Sequence, residues 1–243
     1  MIQDINEASN DKKYPIGMRL ARGDRVYRYA KAGGTLNTDL GAKNALTQHV
    51  SFTTIHSNAL VGATEIVIDV AGTDGVNGDG VIAANELEGG TVVVYPHSDN
   101  SFTRGIVRNT ATTGAGPMTL TLDAPIPVAL TAASMHAECM ASLYLNVKTL
   151  TSTTTSVVGV PTVAATVGQY LWLQTWGPCW IAPQAEVSVG NNNRRVVFRH
   201  DGSIDEDDVA DANVSKGQIA GFVLANAPGG GQGAPFIMLW LAP

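Results

Sequence analysis

From residue 50 onward the apolar residues fall in short runs that alternate with polar ones. TEIVIDV (64–70) sets Ile66, Ile68 and Val70 against Glu65, Val67 and Asp69. That period of two lays one face of a strand on a core. VSFTTI (50–55), TVVVY (91–95), FTRGIVR (102–108) and MTLTL (118–122) repeat the texture, with Gly, Asn, Asp and Pro clusters between them. Further strands are predicted near 138–148, 155–160, 163–175, 185–189, 195–199, 217–225 and 236–241. Ala124-Pro125-Ile126-Pro127 has to be extended or looped, because each Pro lacks a ladder donor. Residues 36–48 read as weakly helical or irregular, and a helical turn is expected around Ala83–Glu88. Sustained helical periodicity is missing. The pattern predicts an all-β chain, a sandwich or barrel-like antiparallel domain or domains with little helix, and not βαβ units.

The first 49 residues differ. Residues 1–13 are polar and read as a loose tail, and Arg25–Tyr29 (RVYRY) reads as a short strand mixing charge and aromatics. Residues 1–43 hold 8 of the 15 basic and 5 of the 21 acidic residues, a local net of +3, while the other 200 carry −9. The expectation is an extended basic N-terminal arm over 1–49, a β domain over 50–150, and a second β domain or a continuation of the same core over 151–243. The Thr/Ser run 149–156 marks the modest boundary. The C-terminal run 236–241 follows a flexible turn at 227–235 and needs burial, which predicts a last strand paired with 219–225.

Composition narrows the class. Hydrophobic residues make up 44% and charged ones only 15%, against about 25% in an average soluble domain, so a core is expected rather than long polar disorder. No apolar run approaches membrane-spanning length, the polar opening lacks a signal-type apolar stretch, and the net charge of −6 argues against general nucleic-acid binding. Cys139 and Cys179 are too few for a disulfide scaffold and read as small buried hydrophobes in a chain made in a reducing cytoplasm. There is no Gly-x-Ser-x-Gly elbow, HExxH pair, Walker loop or dinucleotide fingerprint, so no enzyme activity and no cofactor are expected.

Four features carry candidate chemistry. The loop from Gly75 resembles a degenerate calcium loop. With Gly80 at position 6, Asn77, Asp79 and Glu86 fall at positions 3, 5 and 12, but Gly75 leaves position 1 without a ligand. The favoured reading is a Gly/Asp turn between strands, with no metal. The acidic run Asp205–Asp208, flanked by Asp201 and Asp211, reads as a solvated loop. Arg19, Arg22, Arg25, Arg28 and Lys31 recur every three residues around Tyr27 and Tyr29. They read either as a charged edge strand or as a docking arm for an acidic protein surface. Arg22-Gly23-Asp24 inside this set is read as a chance tripeptide. Finally, 170–180 holds three of the four Trp. As a strand ended by Gly177-Pro178 it puts Trp172, Gln174 and Trp176 on one face. Interleaved Leu residues favour a core or subunit interface, shared with Trp180, Phe236 and Trp240, over an exposed carbohydrate platform.

That last segment, GQYLWLQTWGPCWI (168–181), resembles a recurrent signature of tailed-bacteriophage virion proteins encoded near the major capsid protein. GDRVYRYAKAGGTL (23–36) and Leu87–Val94 (LEGGTVVV) resemble further segments of the same group. The resemblance implies a capsid decoration (cement) protein on the virion exterior, made in the bacterial host cytoplasm. Its implied partners are the major capsid protein and other copies of itself, as a trimer. No catalytic residues come with it. The alternatives are a tail, neck or fibre-base component, or a carbohydrate-binding adhesin.

Overall fold

Among the described residues the alternation of apolar and polar residues becomes eighteen strands. The computed structural model describes residues 2–44, 49–96, 101–149, 151, 155–184, 187, 194–207, 217–225 and 236–243. Chain order begins with β1 (Arg19–Arg22), β2 (Arg25–Lys31) and β3 (Ala42–Asn44). Next come β4 (Val50–Thr54), β5 (Glu65–Val70), β6 (Val81–Ile82), β7 (Thr91–Tyr95), β8 (Phe102–Asn109), β9 (Thr112–Thr113), β10 (Gly116–Leu122) and β11 (His136–Met140). Then follow β12 (Val147–Lys148), β13 (Val157–Pro161), β14 (Tyr170–Trp180), β15 (Arg195–Phe198), β16 (Ile204–Glu206), β17 (Ile219–Ala225) and β18 (Phe236–Trp240). No helix occurs among the described residues. The expected helical turn at 83–88 is a run of turns, and 36–48 contributes β3 with 45–48 outside the described residues. The turn at 227–235, half of the 149–156 run and all of the expected strand at 185–189 but Val187 also lie outside them. The chain is all-β, with antiparallel curled sheets.

Two units divide the chain: Met1–Ala45 with Tyr144–Pro243, and Leu46–Leu143. The second unit carries a six-stranded sheet, β4-β11-β7-β8-β10-β5, and the small β6-β9 ladder. Its inward residues follow the predicted alternation: Ile66, Ile68 and Val70 on β5, Val92 and Val94 on β7, Ala137 and Cys139 on β11 are all buried. The first unit carries a ten-stranded sheet, β12-β3-β13-β14-β18-β17-β15-β16, with the β1-β2 hairpin joined to β14 through β2.

The extended basic N-terminal arm expected over 1–49 is therefore corrected. β2 runs antiparallel to β14 from Tyr170↔Lys31 to Trp176↔Val26. Residues before it are also tied down: Ser9 bridges Tyr170, and Gln3 Nε2 donates to the carbonyls of Glu7 and Tyr170 at 2.8 Å. The cause is burial. Ile5 and Ile16 join Tyr27, Tyr29 and Trp172 in one cluster, lined by Tyr14 and Tyr170. That much apolar and aromatic surface cannot stay in water on a loose arm.

Candidate functional site

The basic set splits according to strand geometry. Gly23 and Asp24 form a two-residue hairpin turn with Gly23 at φ 58°, the positive angle that the first position of such a turn demands. The turn leaves Arg19, Arg22 and Arg25 exposed. Cross-strand register sets Arg22 opposite Arg25 and Arg19 opposite Arg28, like charges that repel. Arg22 lies 3.6 Å from Asp4. Arg28 donates to the carbonyls of Gly17 (3.4 Å) and Pro243 (3.1 Å), and Lys31 Nζ lies 5.7 Å from the Tyr170 ring centre. Tyr27 and Tyr29 are fully buried, so they cannot touch a partner as expected. Tyr29 donates to Gln3 Oε1 (2.6 Å) and accepts from the Lys13 amide (3.1 Å). Burial holds both phenols above their ordinary range.

The tryptophans also separate. Trp172 is only 2% exposed and belongs to the tyrosine cluster, 5.0 Å from Tyr29. A bulge between Gln174 and Trp176 sets Gln174 opposite Tyr27 but Trp176 opposite Val26. The extra residue turns Trp176 to the other side, so the expected shared face of Trp172, Gln174 and Trp176 does not form. Nor does the strand end at Gly177-Pro178. It continues to Trp180 alongside β18, pairing Trp176↔Trp240, Pro178↔Met238 and Trp180↔Phe236.

This second half of β14, with β18 and β17, makes the most conspicuous surface of the first unit. One face holds Cys179, Ile237, Leu239 and Val223 in a buried cluster with Val196, Phe198 and Ile204. The residues of opposite alternation stay open: Trp180 37%, Phe222 41%, Leu224 43%, Phe236 48% and Trp240 58% exposed. Trp176 and Trp240 meet edge to face at 6.1 Å. Large side chains exposed to that degree give an apolar surface on the order of 500 Å², in the range of the largest apolar patch of a monomer, which is often functional. Phe222, Leu224 and Met238 were not singled out from sequence. Their signal is the alternation within 219–225 and 236–240, which names an outer face as readily as an inner one.

The loop resembling a calcium site is a set of turns. Asp79 Oδ1 accepts from the Val81 amide (3.0 Å). Glu86 accepts from the Ala83 amide (2.6 Å) and meets His49 Nε2 at 3.1 Å. Asn77 is exposed, and Asp74, outside the ligand register, is buried and accepts from the amides of Ala71 (2.7 Å) and Ser51 (3.0 Å). These oxygens serve the backbone separately. Among the described residues no three His, Cys, Asp or Glu side chains converge on a cation position. The acidic run is corrected in part: Ile204–Glu206 is a strand, Asp205 is buried against Arg199 (2.6 Å), and Asp207 pairs with Arg195. Asp208 and Asp211 lie outside the described residues.

Both cysteines are buried free thiols. Burial pushes Cys179 up to about 12 and raises Cys139 as well, with Asp74 and Glu138 adding to the latter. The chain matches no protein-family model, no curated protein and no solved structure.

Proposed function

We propose that this protein is a bacteriophage virion structural component, a capsid decoration protein that binds the major capsid protein lattice and stabilises it. The observation that carries the reading is the aromatic outer face of β14, β18 and β17, set on a sheet whose other face is already a core. A face of this kind suits permanent assembly, and a trimer of copies meeting through it fits the usual symmetric closure of oligomers. Two of the segments that resemble phage virion proteins, 23–36 and 168–181, are hydrogen-bonded neighbours through β2 and β14, beside that face. The exposed Arg19, Arg22 and Arg25 supply the contact to an acidic capsid surface. No catalytic group or cofactor enters the reading.

Copy number per virion, measured by quantitative mass spectrometry against the major capsid protein, tests it. A simple lattice fraction supports decoration. A handful of copies would assign the protein to the tail, neck or a fibre base, and absence from particles would remove the virion reading. Attachment is tested by Arg19→Glu, Arg22→Glu and Arg25→Glu together, which should abolish capsid binding and leave the fold intact. Deleting residues 1–49 is no substitute, because it removes β2 from the core.

A further inference from the structure

In the second unit, the outward residues of β4, β11 and β7 form a different kind of surface. Thr54, His136 and Tyr95 stand in one cross-strand row, Thr54 opposite His136 and His136 opposite Tyr95. Phe52 lies over that row. Its ring is 4.4 Å from the His136 ring and nearly parallel to it (11°), and 5.4 Å from the Tyr95 ring. A register shift sets Thr53 opposite Ala137 but Val50 opposite Cys139, so Ser51 and Phe52 together face Glu138. Such a bulge re-aims a side chain, and Phe52 is left 60% exposed with a ring orientation fixed by two neighbours.

Hydrogen-bonding groups flank the ring on both sides, and each is itself held. Tyr95 donates its hydroxyl to Glu138 Oε2 (3.2 Å). Thr54 donates to Asp69 Oδ2 (2.7 Å), while His56 Nδ1 meets Asp69 Oδ1 at 2.7 Å. The outward face is thus one apolar plane between two anchored carboxylates. A strand step of about 4.8 Å and a two-residue advance of about 6.6 Å set the scale of the surface, that of one or two sugar rings.

We propose that this face is a carbohydrate-binding site, with Phe52 stacking on the apolar face of a neutral hexopyranose and Glu138, Tyr95 and Asp69 engaging its hydroxyls. A sugar ring presents one patch of C–H groups rimmed by hydroxyls, which matches one exposed aromatic, held in place by the rings of His136 and Tyr95, among fixed acceptors and donors. The carboxylates Asp69 and Glu138 disfavour anionic glycans. A protein partner calls for about 800 Å² of contact on each side, wider than a surface on the scale of one or two sugar rings. This inference is independent of the capsid reading.

The test uses the full chain on an array of neutral, amino and acidic oligosaccharides, followed by calorimetric titration of the hits. Neutral hexose oligomers should bind, Phe52→Ala should weaken them by at least about tenfold, and Phe52→Trp should preserve binding. Glu138→Gln should change which sugars are selected. If Phe52→Ala fails to fold, ligand-observed NMR on the wild type and Phe52→Trp decides, with saturation transfer expected at the sugar C–H face. No binding of any array sugar at millimolar concentration would overturn the proposal. So would Phe52→Ala binding like wild type, or selection of acidic glycans alone. Concentration-dependent sedimentation abolished by Phe52→Ala would reassign the face to self-association.

Discussion

At Gly177 two constraints meet. Its φ is 95°, and a Cβ there would overlap the carbonyl oxygen of Asp24 and stand 2.9 Å from the Cα of Arg25. Backbone, not a flexible side chain, fills the space. Gly177→Ala is therefore expected to cost about 3 kcal/mol or more, read as a lower urea midpoint with an unchanged slope. A loss under about 1 kcal/mol would mean that the β1-β2 hairpin is not held against β14 as described. The sequence around Gly177 announced a break, yet the strand goes on. A Gly-Pro pair is a stop only when no partner strand needs the residues beyond it, and here β18 does. A different residue-scale expectation concerns Asp69. The hydrogen bond from Thr54 is the main cause that holds its carboxyl below the usual range; burial opposes it as the next-largest effect, and the hydrogen bond and charge of His56 add to the lowering. A depressed carboxylate stabilises the fold above its unfolded pKa, about 3.9, and that stability is lost as pH falls through the lower folded value. Asp69→Asn should accordingly lower the melting temperature at pH 7 and have little effect near pH 2. The change at neutral pH should stay below about 1 kcal/mol, because the side chain is 39% exposed. An equal loss at both pH values would remove the electrostatic cause.

Along a strand, neighbouring residues have opposite fates, and β18 shows it most plainly. Leu239 and Ile237 are fully buried between β14 and β17, whereas Phe236 and Trp240 point outward. Leu239→Ala should cost about 2–5 kcal/mol by denaturant unfolding. Trp240→Ser should cost no more than about 1.5 kcal/mol, the loss of its contact with Trp176, and should shift the protein toward monomer in sedimentation. Equal destabilisation by the two would mean that the outer face is covered within the chain itself. The last strand and its pairing with 219–225 were legible, because a terminal run of apolar residues has to find a neighbour. Its second neighbour, β14, was not, since nothing local in 170–180 distinguishes an edge from an interior strand. Bulges escaped for a related reason. The shifts at Gln174/Trp176 and Ala137/Cys139 depend on the register with a distant partner, and each one reverses which side chains face out.

Each unit of the molecule holds one cysteine, Cys179 in the first and Cys139 in the second. Because thiolate is the reactive form, two buried thiols with raised pKa values should resist a thiol reagent at pH 8 in the native protein. With Cys139→Ser or Cys179→Ser leaving one reporter, each thiol should become reactive at its own denaturant midpoint. Among the described residues, three buried clusters of the first unit consist of its own residues, and separate midpoints are the expected outcome. Coincident midpoints would show one cooperative unit instead. Taken as a whole, the sequence by itself determined the all-β class, most strand positions in 50–122 and the pairing of the C-terminal run with 219–225. Those follow from side-chain periodicity and local turn chemistry, which act over a few residues. Only the tertiary structure decided that the basic N-terminal segment is a core strand and that Trp172 is inside while Trp240 is out. The same holds for Phe52, raised onto the outer face by a bulge. These outcomes rest on pairings such as Tyr170 with Lys31, made across most of the chain, and the free energy that selects such a partner is the burial of both strands together.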